Sequence, residues 1–442
     1  MLVHIGIDDT DSKMGGCTTY TATEAVRQLL ISKLAIFKDY PKIIRLNPNI
    51  PWKTRGNAAV ALTLETDEPK AVFETVCRAV EENLTTHLDS AATLILDHNL
   101  EQLRDYAQRA LYTVVKMSEA RALCKKLCTY TKLWGRGSGL KGALAAIGND
   151  LSRGDYTYEL LAYRRREYWG KPRLIDPQSV YDLDKHLNGL LFNNYDPETR
   201  RILIAPHGPD PVYFGIRGES TEALLKALSI LKPQQPVDRW MIFRTNQGTA
   251  QHLQTKLNPN ALKAYESGYI QGVVASRAVI GKGGHLYIHI STNSTKIKCA
   301  VYEPTGPFRK LFQQLVEGDF VEVAGGVRRA TAKHPKVLNV EYLKIIKLKK
   351  ILQPVKPLCG SCGIRMKSKG REGYFKCRRC GSKKKATEFA EATRNLKEGV
   401  YIPPPRAHRH LTKPITRWGL EKTKWDGKIS SRWYWFSDLR DL

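Results

Sequence analysis

Three carboxylates, Asp8, Asp9 and Asp11, follow directly on the apolar stretch Val3-His4-Ile5-Gly6-Ile7. Gly15-Gly16 and the hydroxyl pair Thr18-Thr19 come next. Hard oxygen donors suit Mg²⁺, with Asp8 and Asp9 as the candidate ligands, and the free N–H groups of a helix start suit a phosphate. Acids at the end of a strand, facing a hydroxyl-rich helix N-terminus, read as a nucleotide or metal site. Thr18 is the hydroxyl placed beside that phosphate. The competing reading is a polar turn with solvated acids. In it Thr18 or Thr19 caps a helix beginning near Tyr20, and Thr21 with Glu24 forms a capping box.

Further groups of the same chemical kind lie downstream. Lys53 and Arg55 sit in the Pro- and Asn-rich stretch RLNPNIPWKTRGN (45–57) and suit triphosphate oxygens. Residues 133–148 (LWGRGSGLKGALAAIG) form a Gly-rich loop running into an Ala-rich helix. That loop is like a phosphate cradle without being a P-loop, since Gly142 follows Lys141 where Ser or Thr would stand. Asp210 and Glu219 flank a hairpin and suit a cationic ligand, or are simply turn residues. The most specific pattern is Cys359-x-x-Cys362 with Cys377-x-x-Cys380, separated by 14 residues and each followed by Gly. Two such knuckles give four thiolates for a closed, structural Zn²⁺ site.

These groups need elements to hold them. Alternation of β-branched residues predicts a strand over 3–7 and another over 58–64, and apolar spacing predicts a helix over 69–83. This first α/β domain reaches about residue 150. In 151–266 the order is strand 156–163, helix 180–190, strands 201–205 and 212–217, helix 221–231 and strand 240–244. That β-α-β-β-α-β order predicts a ferredoxin-like fold. Residues 267–352 carry about five short alternating strands, with a helix between the third and fourth, the order of an OB-fold. The knuckles mark a zinc ribbon over 353–400, and 401–442 is a basic, aromatic tail. Its Trp and Tyr residues either stack on exposed bases or dock the tail on the ribbon. The fold class expected is thus α+β and multidomain.

The 442 residues suit about three or four domains. Net charge is +28, and the segment 341–385 alone carries +13. Concentrated positive charge points to a nucleic-acid partner. No apolar run is long enough to span a membrane, and Asp8 interrupts any leader-like stretch, so the expected location is cytoplasmic.

Several of these motifs together resemble the archaeal tRNA 2-agmatinylcytidine (agmatidine) synthetases. The resemblance is carried by GIDDTDS (6–12), CTTY (17–20), RLNPNIPWKTRGN (45–57), LKGALAAIG (140–148), PHGPDPVYFGIRG (206–218), RTNQGT (244–249) and the four ribbon cysteines. It implies an ATP-dependent ligase that activates the 2-carbonyl of the wobble cytidine of an isoleucine tRNA with a CAU anticodon. Agmatine then replaces that oxygen, and the anticodon reads AUA. It implies a kinase-like first domain in which Thr18 can be phosphorylated, with Asp8, Asp9 and Asp11 catalytic and ATP held by Lys53, Arg55, Gly56, Asn57, Gly139 and Gly142. The agmatine candidates are His207, Asp210, Tyr213 and Glu219, and the OB-fold and ribbon would hold tRNA. The alternative is a non-catalytic RNA- or single-strand-binding protein, which leaves the acid, glycine and threonine constellation unused.

Overall fold

The computed structural model describes every residue except 13–14, 85–88, 210, 294, 333–334, 370–372, 386–387 and 440–442. The apolar run near the N-terminus forms the central strand β1 (Leu2–Asp8), with Val3, Ile5 and Ile7 fully buried. Around it lie β2 (Lys42–Arg45), β3 (Ala58–Glu65), β4 (Ala91–Leu96) and β5 (Cys128–Leu133), in the antiparallel order β2-β3-β1-β4-β5. The helices of this half are α1 (Thr18–Ser32), α2 (Pro69–Glu82), α3 (Arg104–Tyr112), α4 (Met117–Leu127) and α5 (Leu140–Gly148). α5 crosses β1 so closely that a Cβ on Gly6 would stand 2.3 Å from the carbonyl oxygen of Ala143. Only glycine permits that approach. β4, β5, α3 and α4 were not anticipated from sequence.

The next segment supplies β6 (Thr157–Arg164), α6 (Pro177–His186), β7 (Leu191–Phe192), β8 (Val212–Gly218), α7 (Thr221–Ile230) and β9 (Val237–Thr245). Their antiparallel order is β9-β6-β8-β7. Ser220 caps α7, its Oγ accepting from the Ala223 N–H at 3.2 Å. The two halves share one sheet, because β9 pairs in parallel with β2 through Arg244↔Lys42 and Thr245↔Ile43. A buried ion pair reinforces this seam: Arg244 Nε donates to Asp39 at 3.1 Å, and its Nη1 to the Leu151 carbonyl at 2.8 Å.

Three local expectations are corrected. Residues 201–205 are not a strand. Only Ile202 bridges, to Tyr195, and the segment runs irregularly while β7 takes the place beside β8. Helix α1 starts at Thr18 with Cys17 in the cap position, so neither threonine caps it. Thr21 instead accepts from the Thr10 hydroxyl at 3.2 Å, and Glu24 pairs with Arg27 and Arg239, so there is no capping box.

Beyond β9 the chain forms β10 (Ser267–Val274), β11 (Leu286–Thr292), β12 (Thr295–Val301), α8 (Pro307–Gln313), β13 (Phe320–Arg328) and β14 (Val337–Lys347). These five strands close into a barrel through the pairs β10–β13, β13–β14, β14–β12, β12–β11 and β11–β10. Its interior is apolar, with Ile288, Ile290, Val321, Val323 and Leu343 buried. The cysteine module follows, tethered by a two-stranded arm, Leu352–Val355 with Glu388–Glu391.

The C-terminal segment does neither of the things anticipated. It returns to the first sheet, where Tyr434–Phe436 pairs antiparallel with β9, and Trp433 and Phe436 are buried, Trp433 beside Phe37 and Tyr40. Large apolar faces are worth more buried in an existing core than exposed for occasional stacking.

Candidate active site

Where the two halves of the sheet meet, they enclose a cavity of about 1020 Å³. Asp8, Asp9, Asp11, Thr18, Lys53, Arg55, Gly56, Asn57 and Gly142 line it from the first half, and Glu159, His207 and Arg217 from the second. Thus most of the residues picked out by type and spacing share one space.

The acids are held rigidly. Asp8 ends β1 beneath α5, and a Cβ on Gly142 would fall 1.9 Å from its Oδ2. Burial first, then neighbouring Asp9, push the Asp8 carboxyl well above its ordinary range. Asp9 has a left-handed backbone (φ 62°), an uncommon state for a non-glycine residue. Ser138 Oγ donates to its Oδ2 at 2.8 Å, and Ser90 Oγ to its carbonyl at 2.6 Å. Burial also raises Asp9, opposed by that Ser138 bond. Asp11 accepts from Thr54 Oγ1 at 3.0 Å. The Thr10 N–H lies 3.4 Å from Thr18 Oγ1, holding that buried hydroxyl at the head of α1.

The cationic loop is fastened to this turn. Arg55 donates to the carbonyls of Gly16 (2.8 Å) and Ser12 (3.2 Å) and lies 3.8 Å from Asp11. Lys53 Nζ donates to the Pro48 carbonyl. Asn57, also left-handed, donates to the Asn47 carbonyl at 2.8 Å. Gly139 does not line the cavity. It packs behind it, where a Cβ would meet the Asp8 carbonyl oxygen at 2.6 Å.

The cationic-ligand candidates of the second half separate. His207 lines the cavity, its Nε2 accepting from Arg201 at 2.7 Å. Tyr213 does not: it is fully buried, donating to the Leu174 carbonyl and accepting from the Gln235 N–H at 3.0 Å. Its neighbour in the alternating strand, Phe214, is buried too, so neither faces the open space. Glu219 is also elsewhere, held by Arg417 and Lys422 beside Asp155. It secures the C-terminal segment. Asp210 lies outside the described residues.

Sequence reasoning missed the charged floor of the cavity. Glu159, only 1% exposed, lies 3.5 Å from Arg45 and 3.1 Å from Arg217. Gln247 donates to Glu159 and accepts from His410 Nδ1 at 2.9 Å. The available signal was one acid in the otherwise apolar strand 156–163.

In the cysteine module the four Sγ atoms lie within 4.8 Å of one another. Tetrahedral thiolate ligation of Zn²⁺ fits this spacing, because Zn–S bonds are about 2.3 Å. Backbone N–H groups of Cys380 and Arg379 pull the Cys377 thiol down to about 6, toward the thiolate a metal needs. Among the described residues no other group of three His, Cys, Asp or Glu ligands closes so tightly. The acids therefore form no compact triad. Two carboxylates with phosphate oxygens would still suit octahedral Mg²⁺.

Comparison with known proteins matches this architecture in order. Residues 4–131 match the family model for the TiaS TCKD domain, 137–252 the TiaS FLD domain, and 356–396 the TiaS C-terminal zinc ribbon domain. The isoleucine-tRNA 2-agmatinylcytidine synthetase TiaS of Cenarchaeum symbiosum is 40% identical over 428 residues, covering 96% of this chain and 95% of the relative. That of Archaeoglobus fulgidus is 38% identical over 424 residues, covering 95% and 99%. The crystal structure of apo TiaS superposes with a TM-score of 0.83 at 37% identity, covering 94% of this chain and 98% of that one. Since the match runs through the acid-bearing strand, the cavity and the cysteine module alike, the chain belongs to the TiaS family of isoleucine-tRNA 2-agmatinylcytidine synthetases.

Proposed function

We propose that this chain is an ATP-dependent tRNA–agmatine ligase that forms agmatidine at the wobble cytidine of an isoleucine tRNA bearing a CAU anticodon. The carrying observation is the single cavity in which the acid turn of one half faces the second half across a shared sheet. Relatives covering nearly the whole chain bear that activity in their name, and a solved TiaS complex holds its isoleucine tRNA, AMPCPP and agmatine.

The chemistry needs three things in one place. The 2-carbonyl oxygen of cytidine is a poor leaving group, so it must first take a phosphoryl group from ATP. The agmatine amine then attacks C2, and phosphate departs with that oxygen. Positioning and electrostatics do most of this work. Asp8 and Asp9 would hold Mg²⁺, which when bound supplies charge neutralisation to the phosphates. Ser138 and the packing of Gly142 fix those carboxylates beforehand. Thr18 stands at a helix N-terminus, where a phosphate is stabilised. Lys53, Arg55, Gly56 and Asn57 form the opposing wall, and Gly139 keeps α5 close. His207, with Asp210, remains the candidate on the amine side.

In finer terms, the first half reads as a kinase-like α/β domain. The order β9-β6-β8-β7 with α6 and α7 reads as ferredoxin-like, and the barrel with α8 between its third and fourth strands as an OB-fold. The cysteine module reads as a Zn²⁺ ribbon that, with the barrel, grips tRNA. Reduced thiols and a tRNA substrate suit a cytoplasmic setting, and no helix among the described residues is long and apolar enough to cross a membrane. A non-catalytic RNA-binding role would leave the cavity and its buried acids without a purpose.

The test is to incubate the protein with labelled agmatine and labelled ATP, with and without the CAU-anticodon isoleucine tRNA, and to analyse the nucleosides. Agmatine label should enter the tRNA only when ATP is present. ATP consumption with no agmatine in the tRNA would refute the reading.

A further inference from the structure

A second pocket, of about 380 Å³, adjoins the large cavity and shares Arg45, Arg55 and Arg217 with it. The C-terminal segment contributes Arg406 and His410, which border both spaces, and Arg409, which lines this pocket and not the large cavity. None of the described residues lining this pocket is acidic. The carboxylates that balance its arginines stand behind them. Glu159 backs Arg45 and Arg217, Asp196 backs Arg406 at 2.9 Å, and Glu341 backs Arg409 at 3.6 Å. These three carboxylates are under a tenth exposed, while Glu198 also meets Arg406 at 2.7 Å and Asp11 lies 3.8 Å from Arg55.

Burying three carboxylates is costly, and such pairs are a poor source of stability. What they do accomplish is to hold guanidinium groups in fixed positions around an open space. The resulting field is positive. His410 is held well below its ordinary value first by burial and then by Arg45 and Arg217. An arrangement of pre-positioned donors with no facing acid is suited to an oxyanion.

Phosphate oxyanions could come from ATP or from RNA. Lys53, Arg55 and Gly56 of the triphosphate wall border both spaces, but the acid turn and the Gly-rich loop, which suit the triphosphate and its metal, are absent from this pocket's lining. Its wall is continuous instead with the barrel, since Arg409 reaches Glu341 of β14 and also donates to Asn49 at 2.6 Å. We infer that this pocket seats a backbone phosphodiester of the RNA strand whose base enters the large cavity, and that the segment 403–411 serves to complete it. The inference rests on the functional reading above and adds the seat that aligns the strand.

The test uses full-length protein, and its first pair of variants leaves every ion pair intact. Leu203 lines the pocket where it opens onto the large cavity. Leu203→Gln and Leu203→Glu are matched in size and differ by one charge. A unit charge about 10 Å from a phosphate, at an effective dielectric of about 20, changes affinity roughly tenfold. Leu203→Glu should therefore bind the isoleucine tRNA about tenfold more weakly than Leu203→Gln at low salt, without ATP present. The KM for ATP should differ between the two by much less than the tRNA affinity does. As a second variant, Arg409→Gln should flatten the salt dependence of tRNA binding by about 0.7 to 0.9 log–log units, the amount for one lost phosphate contact. Equal tRNA affinity of the two Leu203 variants would overturn the inference while leaving the proposed activity standing. So would a charge effect confined to the KM for ATP, which would assign the pocket to the triphosphate. Absence of tRNA binding by the unaltered protein would instead bring down the functional reading, and this inference with it.

Discussion

Gly142→Ala isolates what the carboxylate of Asp8 contributes. The added Cβ would stand 1.9 Å from Asp8 Oδ2, where ordinary van der Waals contact begins at 3.4 Å. About 1.5 Å of separation must therefore come from rotating the carboxylate or shifting α5. Two effects on stability oppose one another. Alanine favours a helix interior over glycine by about 1 kcal/mol, whereas forcing a methyl into a packed site costs about 1–3 kcal/mol. The net loss of about 0–2 kcal/mol leaves the protein folded. Activity has no such compensation, because misplacing a reacting or ligating group by about 1 Å costs on the order of 10²-fold in rate. Agmatidine formation should thus fall about a hundredfold while the melting temperature moves by a few degrees at most. Gly148→Ala is the control on the same helix. Its Cβ would meet the Leu103 carbonyl oxygen at 2.6 Å, but it does not line the cavity. It should lose stability and keep its turnover per folded molecule. If folded Gly142→Ala turns over within about threefold of the unaltered protein, the rate does not depend on a fixed Asp8.

Three further outcomes are expected. Asp8→Asn should be inactive yet more heat-stable at neutral pH. Burial raises the Asp8 pKa above its ordinary 3.8, so ionisation in the folded state opposes folding once the pH exceeds that value. The stabilisation, read by thermal melting across pH, should fade as the pH falls to about 3.8; a melting temperature below that of the unaltered protein at pH 7 would contradict it. Cys359→Ser should lose bound zinc by metal analysis and unfold the cysteine module, since metal binding there is folding free energy of about 10–16 kcal/mol. Glu341→Gln should cost about 3–5 kcal/mol at pH 7, the usual result of breaking a buried pair. Burial would raise Glu341, but Arg409 and His252 hold it near 2, well below the ordinary 4.5. Its stabilising effect should therefore persist above pH 4.5 and vanish as pH falls through about 2, which urea titrations at several pH values would reveal.

Legibility in the sequence followed the range of the interactions. α2 and the barrel strands were readable because each buries a periodic face, β1 and α5 because their apolar runs are buried almost throughout, and the cysteine spacing alone specified the metal module. The gathering of Asp8, Thr18 and Gly142 was readable because motif residues were close in the chain or carried by a resemblance to known sequences. What failed depended on distant partners. Residues 201–205 have strand-like composition, but β7 occupies the neighbouring edge. Tyr213 and Glu219 stand in a motif that borders the cavity, yet strand alternation turns Tyr213 away and Arg417 captures Glu219. The floor formed by Arg45, Glu159, Arg217 and His410 joins four separate stretches, and no local pattern announces it.

The return of the C-terminus to β9 has a consequence for biosynthesis. Trp240 pairs with Trp435, and Arg27 of the first helix meets Asp438 across 411 residues of chain. A nascent chain emerging from the ribosome can build β1, the barrel and the cysteine module in turn, but one flank of β9 stays open until residues 434–436 have left the tunnel. The wall carrying Arg406 and His410 arrives only shortly before that closure. Chains ending before residue 403 would hence carry a folded barrel and cysteine module without a finished cavity, together with an unpaired strand edge open to aggregation. Synthesis of the segment 403–436 is therefore what supplies that wall and covers the open flank of β9.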